Sequence, residues 1–182
     1  TIVYGLNYGA QARSTAGRLS NVLNREVQEE EAQDIIDRFF RGFPLIKSFQ
    51  DSCISKAKKL GYAKTLCGSR RILHNIKSTD YKLRSSDMRK ALNAPIQGSA
   101  ADIVKAAMIR VWEDASYGVL KELNALLLLQ IHDEFVLEVP IENLDPASER
   151  LKELMEDPFD GKKMKVPLTV APNHAYSWAE LK

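Results

Sequence analysis

The chain has 182 residues, 45% of them hydrophobic and 27% charged, with a formal net charge of +2. That supplies apolar material for a packed core and argues against disorder, while no apolar run approaches the roughly 20 residues that cross a bilayer, so no membrane partner is expected. The two cysteines, Cys53 and Cys67, form no CxxC pair and sit among apolar residues, which points to ordinary packing in a reducing compartment rather than a disulfide framework or a zinc site.

Thr1 to Gly9 reads as the last turns of a helix, with Tyr4 and Tyr8 four residues apart on one face and Gly9 as its stop. An opening without Met or a basic leader is expected to be a cut from a longer chain. A short helix follows around Ala12 to Leu23. From Glu29, the apolar positions Ala32, Ile35, Ile36, Phe39, Phe40 and Phe43 recur at helical spacing behind three acids. Pro44 opens another helix, with Leu45, Ile46, Phe49, Cys53 and Leu60 expected to turn inward and Gly61 to end it. Tyr62 to Leu66 and Ile72 to Leu73 flank Cys67-Gly68-Ser69-Arg70 as a small basic hairpin.

A helix from about Thr79 to Asn93 is expected to stop at Pro95. Ser99 is expected to start the next, with Asp102 as its capping-box partner and Ile103, Val104, Ala107, Met108 and Val111 on its apolar face. Two strands, Leu126 to Ile131 and Phe135 to Val139, meet at His132-Asp133-Glu134. Asp145 with Pro146 is expected to cap a helix to about Glu156. Val166 to Val170 reads as a last strand, and Tyr176 to Leu181 as a tail that packs Trp178. Helices with a small, mostly antiparallel sheet define an α+β fold.

Charge is unevenly spread. Between Lys56 and Lys90 stand eleven Lys and Arg against only Asp80 and Asp87, the footprint of a polyanion binder or, more plainly, a solvated basic face.

Three segments carry chemistry. At His132-Asp133-Glu134, two adjacent acids lie between apolar strands, where repulsion and desolvation disfavour them unless a cation compensates. Mg²⁺ suits hard oxygen ligands and uses few protein carboxylates; the alternative is a solvated acidic turn. Arg89, Asn93 and Gln97 recur every four residues as a polar stripe able to pair with phosphate and with acceptors on base edges, or simply to face solvent. Gly98 removes a side chain where a backbone is expected to approach closely. Tyr4 and Tyr8 would make a stacking surface for a base or sugar, or part of a core.

Taken together, Tyr4-Gly5-x-x-Tyr8-Gly9, Gly68-Ser69-Arg70-Arg71, Gln97-Gly98-Ser99-Ala100-Ala101-Asp102 and His132-Asp133-Glu134 occur in the order and approximate spacing of the family A DNA polymerases. The chain resembles that family over nearly its whole length. The run Gln97 to Lys105 leans toward the theta-like eukaryotic branch. The resemblance implies a nucleotidyltransferase in which a primer 3′ hydroxyl attacks the α-phosphate of a deoxynucleoside triphosphate, with two Mg²⁺ ions stabilising the attacking and leaving oxygens. It implies that Asp133 holds metal with Glu134 close by, and that His132 lies near the primer end. Tyr4 would pack on the incoming sugar and base, and Tyr8, beside Gly9, would lie next to the templating base. Arg89, Asn93 and Gln97 would touch primer and template in the minor groove, and Arg70 or Arg71 the template backbone.

The resemblance further implies that residues 1–95 hold the end of the nucleotide-binding helix and the fingers-side helices, and residues 96–182 the palm with its metal-binding hairpin and tail. The family's nucleotide-helix Lys and the palm's other metal-holding Asp would fall before Thr1. The 182 residues alone are therefore expected to be inactive, with the amino-terminal polymerase segments supplied by a longer protein or by another chain. Primer–template DNA and deoxynucleoside triphosphates are the expected partners. The expected compartment is intracellular and holds DNA, being the nucleus for a theta-like protein and otherwise bacterial cytoplasm or an organelle. A competing reading is a noncatalytic DNA-binding module derived from a polymerase. A hydrolase built on the His132 turn alone is disfavoured, because successive strand residues point to opposite faces.

Overall fold

The structure is a computed structural model that describes residues 2–162 and 164–180. Thr1 and Leu181, the outer bounds of two expected elements, lie outside the described residues. Contacts divide the chain into two compact units, Thr1–Ser99 and Ala100–Lys182.

The first unit opens with α1 (Ile2–Asn7) and α2 (Ala12–Leu23). It continues through α3 (Glu29–Gly42) and α4 (Pro44–Leu60), and the hairpin strands β1 (Tyr62–Lys64) and β2 (Arg70–Ile72) follow. The three acids of the α3 first turn complement its dipole. Pro44 occupies the first turn of α4, where a missing N–H costs nothing. One core cluster joins Ala16 and Leu19 of α2 to Val27 and Ala32. A second joins Ala57, Ala63, Leu73, Ile76, Ala91 and Ala94.

Three expectations fail in this unit. Leu45, Phe49 and Leu60 are exposed, and the buried positions of α4 are Gln50 and Ala57. The helix presents its small and amide-bearing side to the core, because short residues let the hairpin and the helix that follows it approach closely. Cys67 is exposed and Cys53 only partly buried, and neither forms a disulfide. Pro95 does not stop the helix. Helix α5 (Tyr81–Asn93), capped by the Asp80 carboxylate on Lys82 N and Leu83 N, passes through a π-helical turn, Ala94–Gly98, straight into α6 (Ser99–Tyr117). A π turn accommodates a residue that lacks an N–H without ending the helix. Ser99 is thus helical (φ −69°, ψ −36°) and is not a cap. Its hydroxyl donates to Pro95 O and accepts from Leu66 N.

In the second unit, α6 is followed by α7 (Val119–Glu122), β3 (Leu126–Ile131), β4 (Glu134–Glu138) and α8 (Leu144–Glu156). Val111, Leu120, Ala125, Ala147 and Leu154 form its core, against which Leu127, Phe135 and Leu137 pack. The other face of the hairpin, including Leu126, Leu128 and Leu129, is exposed, so the two strands are covered on one side only. The α8 helix is entered through Asn143, with Asp145 already inside its first turn. Val166 to Val170 forms no ladder, and Val170 N–H instead donates to the Glu156 carboxylate at 2.9 Å. Trp178 sits in a short 3₁₀ turn with 59% of its surface exposed, so the tail does not pack it. Both sheets are two-stranded and antiparallel, and with the surrounding helices they make the fold α+β.

Candidate functional site

The first unit brings together the aromatic pair and the end of the polar stripe. The Tyr4 and Tyr8 rings lie 5.0 Å apart at 57°, a tilted pairing within the favourable range for aromatic contacts. The Tyr4 hydroxyl bonds that of Tyr8 and raises the Tyr8 phenol above its ordinary value. Burial adds to this, and a hydrogen bond with the Gln97 side chain opposes it. Gln97 reaches Tyr8 because the π turn carries it there. Gly9 takes φ +78°, and a Cβ on it would stand 2.7 Å from Leu92 Cδ1, so only glycine fits between the aromatic helix and α5.

The same logic joins the basic hairpin to the π turn. A Cβ on Gly98 would lie 2.7 Å from Thr65 Cγ2, and the Leu66 N–H reaches the Ser99 hydroxyl at 2.8 Å. On β2, Arg70 stacks its guanidinium 4.8 Å from the Tyr62 ring centroid, and Arg71 is exposed opposite Ala63. Arg89 is exposed and donates to Ser85 Oγ at 3.0 Å. Asn93 keeps its side-chain oxygen buried without a hydrogen-bond partner, as do Asn7 and Thr65. Such orphaned acceptors are few in folded proteins, and each calls for a reason. Asn7, Thr65, Ser99 and Gln50 are site neighbours that sequence reasoning missed. Asn7 between the two tyrosines was the one visible signal.

Beneath the stripe, Asp87 is 2% exposed and accepts from Asn75 N and from the Lys90 ammonium, both at 2.7 Å. The Lys90 bond, assisted by the Asn75 N–H against the cost of burial, holds its carboxyl below the usual carboxylate range.

In the second unit, Ile131 pairs with Glu134, so the hairpin loop is His132-Asp133 alone. His132 takes φ +55° and is braced by Gln130 Nε2 on its carbonyl at 2.8 Å. A left-handed non-glycine residue costs on the order of 1 kcal/mol, a strain that functional turns retain. A register shift between Leu127 and Leu129 marks a bulge in β3, a device that re-aims the strand beyond it. His132, Asp133 and Glu134 are all exposed. Among the described residues no group of three or more His, Cys, Asp or Glu side chains is placed to hold an ion. Two neighbouring carboxylates without protein partners fit Mg²⁺, which is bound through one or two carboxylates and keeps water and phosphate as its other ligands.

The family model described as DNA polymerase family A matches residues 1–180. The chain is 38% identical over 180 residues to a DNA polymerase I of Geobacillus stearothermophilus, covering 98% of this chain and 19% of that protein. It is 36% identical over 182 residues to the thermostable DNA polymerase I of Thermus filiformis, covering 20% of it. Among solved structures, the polymerase domain of Pol1 from M. smegmatis, in complex with DNA primer-template and dNTP, aligns with a TM-score of 0.81 at 34% identity. That alignment covers 93% of this chain and 28% of that one. The chain thus spans about a fifth of the length of the curated relatives it matches. These relatives are bacterial, and the nuclear compartment of a theta-like protein finds no support in them.

Proposed function

The chain belongs to DNA polymerase family A, and from that premise we propose that it forms part of an enzyme that extends a primer 3′ end with deoxynucleotides along a template. The observation that carries this reading is the tilted Tyr4–Tyr8 ring pair, 5.0 Å between centroids, with the Gln97 side chain of the π turn beside Tyr8. It seats an aromatic surface against a stripe of donors, which is what positioning a nascent base pair requires.

Tyr4, the more exposed ring, offers its face to the sugar and base of an incoming deoxynucleoside triphosphate. Tyr8, with Gly9 behind it, lies beside the templating base. Arg89, Asn93 and Gln97 direct donors toward minor-groove acceptors, which all base pairs present and which suit sequence-independent binding. Arg70 and Arg71 meet template phosphates. Asp133 and Glu134 would hold Mg²⁺, which when bound supplies Lewis-acid stabilisation of the attacking and leaving oxygens. His132 keeps the tip at the primer end. Holding both reactants in line is the chain's larger contribution.

Primer extension by the full-length protein tests the reading. Asp133→Ala is expected to lower turnover by roughly 10³-fold, as losing several kcal/mol of metal stabilisation would, while primer–template affinity stays close to that of the unaltered protein. Near-normal turnover in this variant rejects the metal assignment. A full-length protein that binds primer–template yet extends nothing is instead a noncatalytic DNA-binding module.

A further inference from the structure

Gln50 is 6% exposed, on the side of α4 that faces the core. A buried amide is costly unless hydrogen-bonded. Its Nε2 donates to Leu6 O at 2.7 Å and to Asn7 O at 3.1 Å. These are the last carbonyls of α1, and the last carbonyls of a helix have no intrahelical donors of their own. Leu6 O also accepts from Gly9 N at 3.1 Å. The Asn7 carbonyl belongs to the same planar peptide unit as the Tyr8 nitrogen, so a donor held on that oxygen fixes the plane from which the Tyr8 side chain departs. On the far side, Gly9 takes φ +78° beside Leu92, where an added side chain would be strained and crowded.

We infer that Gln50 is a positioning residue for nucleotide selection, acting through Tyr8. By holding the peptide between Asn7 and Tyr8, it keeps the Tyr8 ring against Tyr4 and its hydroxyl against Gln97. The inference rests on the nucleotide site proposed above. A neutral side chain with two N–H donors suits the position. A methionine fills similar space but leaves Asn7 O without its donor, and a glutamate turns a carboxylate toward two carbonyls.

The test uses the full-length protein with Gln50→Met and Gln50→Glu. Hydrogen exchange is read over residues 2–10 without DNA or nucleotide, and steady-state kinetics are read with primer–template. In Gln50→Met, exchange at Tyr8, Gly9 and Ala10 is expected to rise about tenfold, as losing one hydrogen bond would allow. The KM for the correct nucleotide is expected to rise severalfold, with kcat and primer–template affinity little changed. Gln50→Glu moves both readouts further in the same direction. Unchanged exchange overturns the inference, as does raised exchange with an unchanged KM. A fall in kcat and DNA affinity together, with a lowered Tm, assigns Gln50 a merely structural role and also overturns it. If the unaltered full-length protein extends no primer, the proposed function falls and takes this inference with it. An active unaltered enzyme with an indifferent Gln50→Met variant sinks the inference alone.

Discussion

Tyr4 exposes 62% of its surface while Tyr8 beside it is half-buried, so the two rings of the pair have different work. Tyr8 lies beside Gln97 and is set by the turn behind it, whereas most of the Tyr4 ring is open to solvent. A phenolic hydroxyl at the sugar can supply a hydrogen bond that a nucleotide lacking the 3′ hydroxyl cannot make for itself. The unaltered full-length enzyme is therefore expected to accept dideoxynucleotides readily. Tyr4→Phe is expected to raise discrimination against them roughly tenfold, the worth of one hydrogen bond of about 1–1.5 kcal/mol. Competitive incorporation of the two nucleotide types measures it, and equal chain termination in both versions refutes it. At this scale the sequence was informative: the tyrosine spacing, the His132-Asp133-Glu134 run and Gln97 could all be picked out. Gln50 could not, because a glutamine within an apolar helical pattern carries no sign of which side it faces.

Two buried carboxylates do for the elements what the tip acids cannot. Asp87 ties α5 to the segment at Asn75. Asp114, 8% exposed, ties α6 to α7 and α8 by accepting Leu120 N at 2.8 Å and the Arg150 guanidinium at 2.6 and 3.1 Å. Burial pushes the Asp114 carboxyl up, but the Arg150 guanidinium and the Leu120 N–H outweigh it and hold it below the usual range. A depressed folded-state value means that the ionised form is favoured by folding. Its contribution is complete above the unfolded carboxylate value of about 3.9 and is lost as pH falls through the lower folded value. Asp87→Asn and Asp114→Asn are each expected to lower stability near neutral pH by about 1–3 kcal/mol and to flatten the acid limb below about pH 4. Thermal midpoints across pH measure this, and an unchanged acid limb in both variants counts against it. The element scale is also where periodicity misled, at α4 and at Pro95. The first depends on which neighbour comes closest, and the second on a π turn whose hydrogen bonds no local propensity encodes.

Across the whole molecule, the residues proposed to meet base pairs lie in Thr1–Ser99 and the acids proposed to hold metal lie in Ala100–Lys182. Each unit holds part of the chemistry, and two carboxylates are fewer oxygen ligands than two ions require. The 182-residue chain by itself, given primer–template, deoxynucleoside triphosphates and Mg²⁺, is expected to extend no primer, while the full-length protein does so in the same assay. Extension by the purified chain, free of contaminating polymerase, would refute this. The eleven basic residues between Lys56 and Lys90 are expected to make any binding to DNA salt-dependent.

Family membership, the helix and hairpin boundaries and the positions of the chemistry-bearing motifs were legible in the amino-acid order, because turn residues, helical periodicity and clustered charges act over a few neighbours. The tertiary structure alone decided that Gln50 reaches the end of α1, that Leu66 and Ser99 tie the basic hairpin to the π turn, and that Val170 N–H meets the Glu156 carboxylate. Each of these depends on groups far apart in sequence meeting at hydrogen-bond distance, and such meetings follow from packing, which no local pattern records.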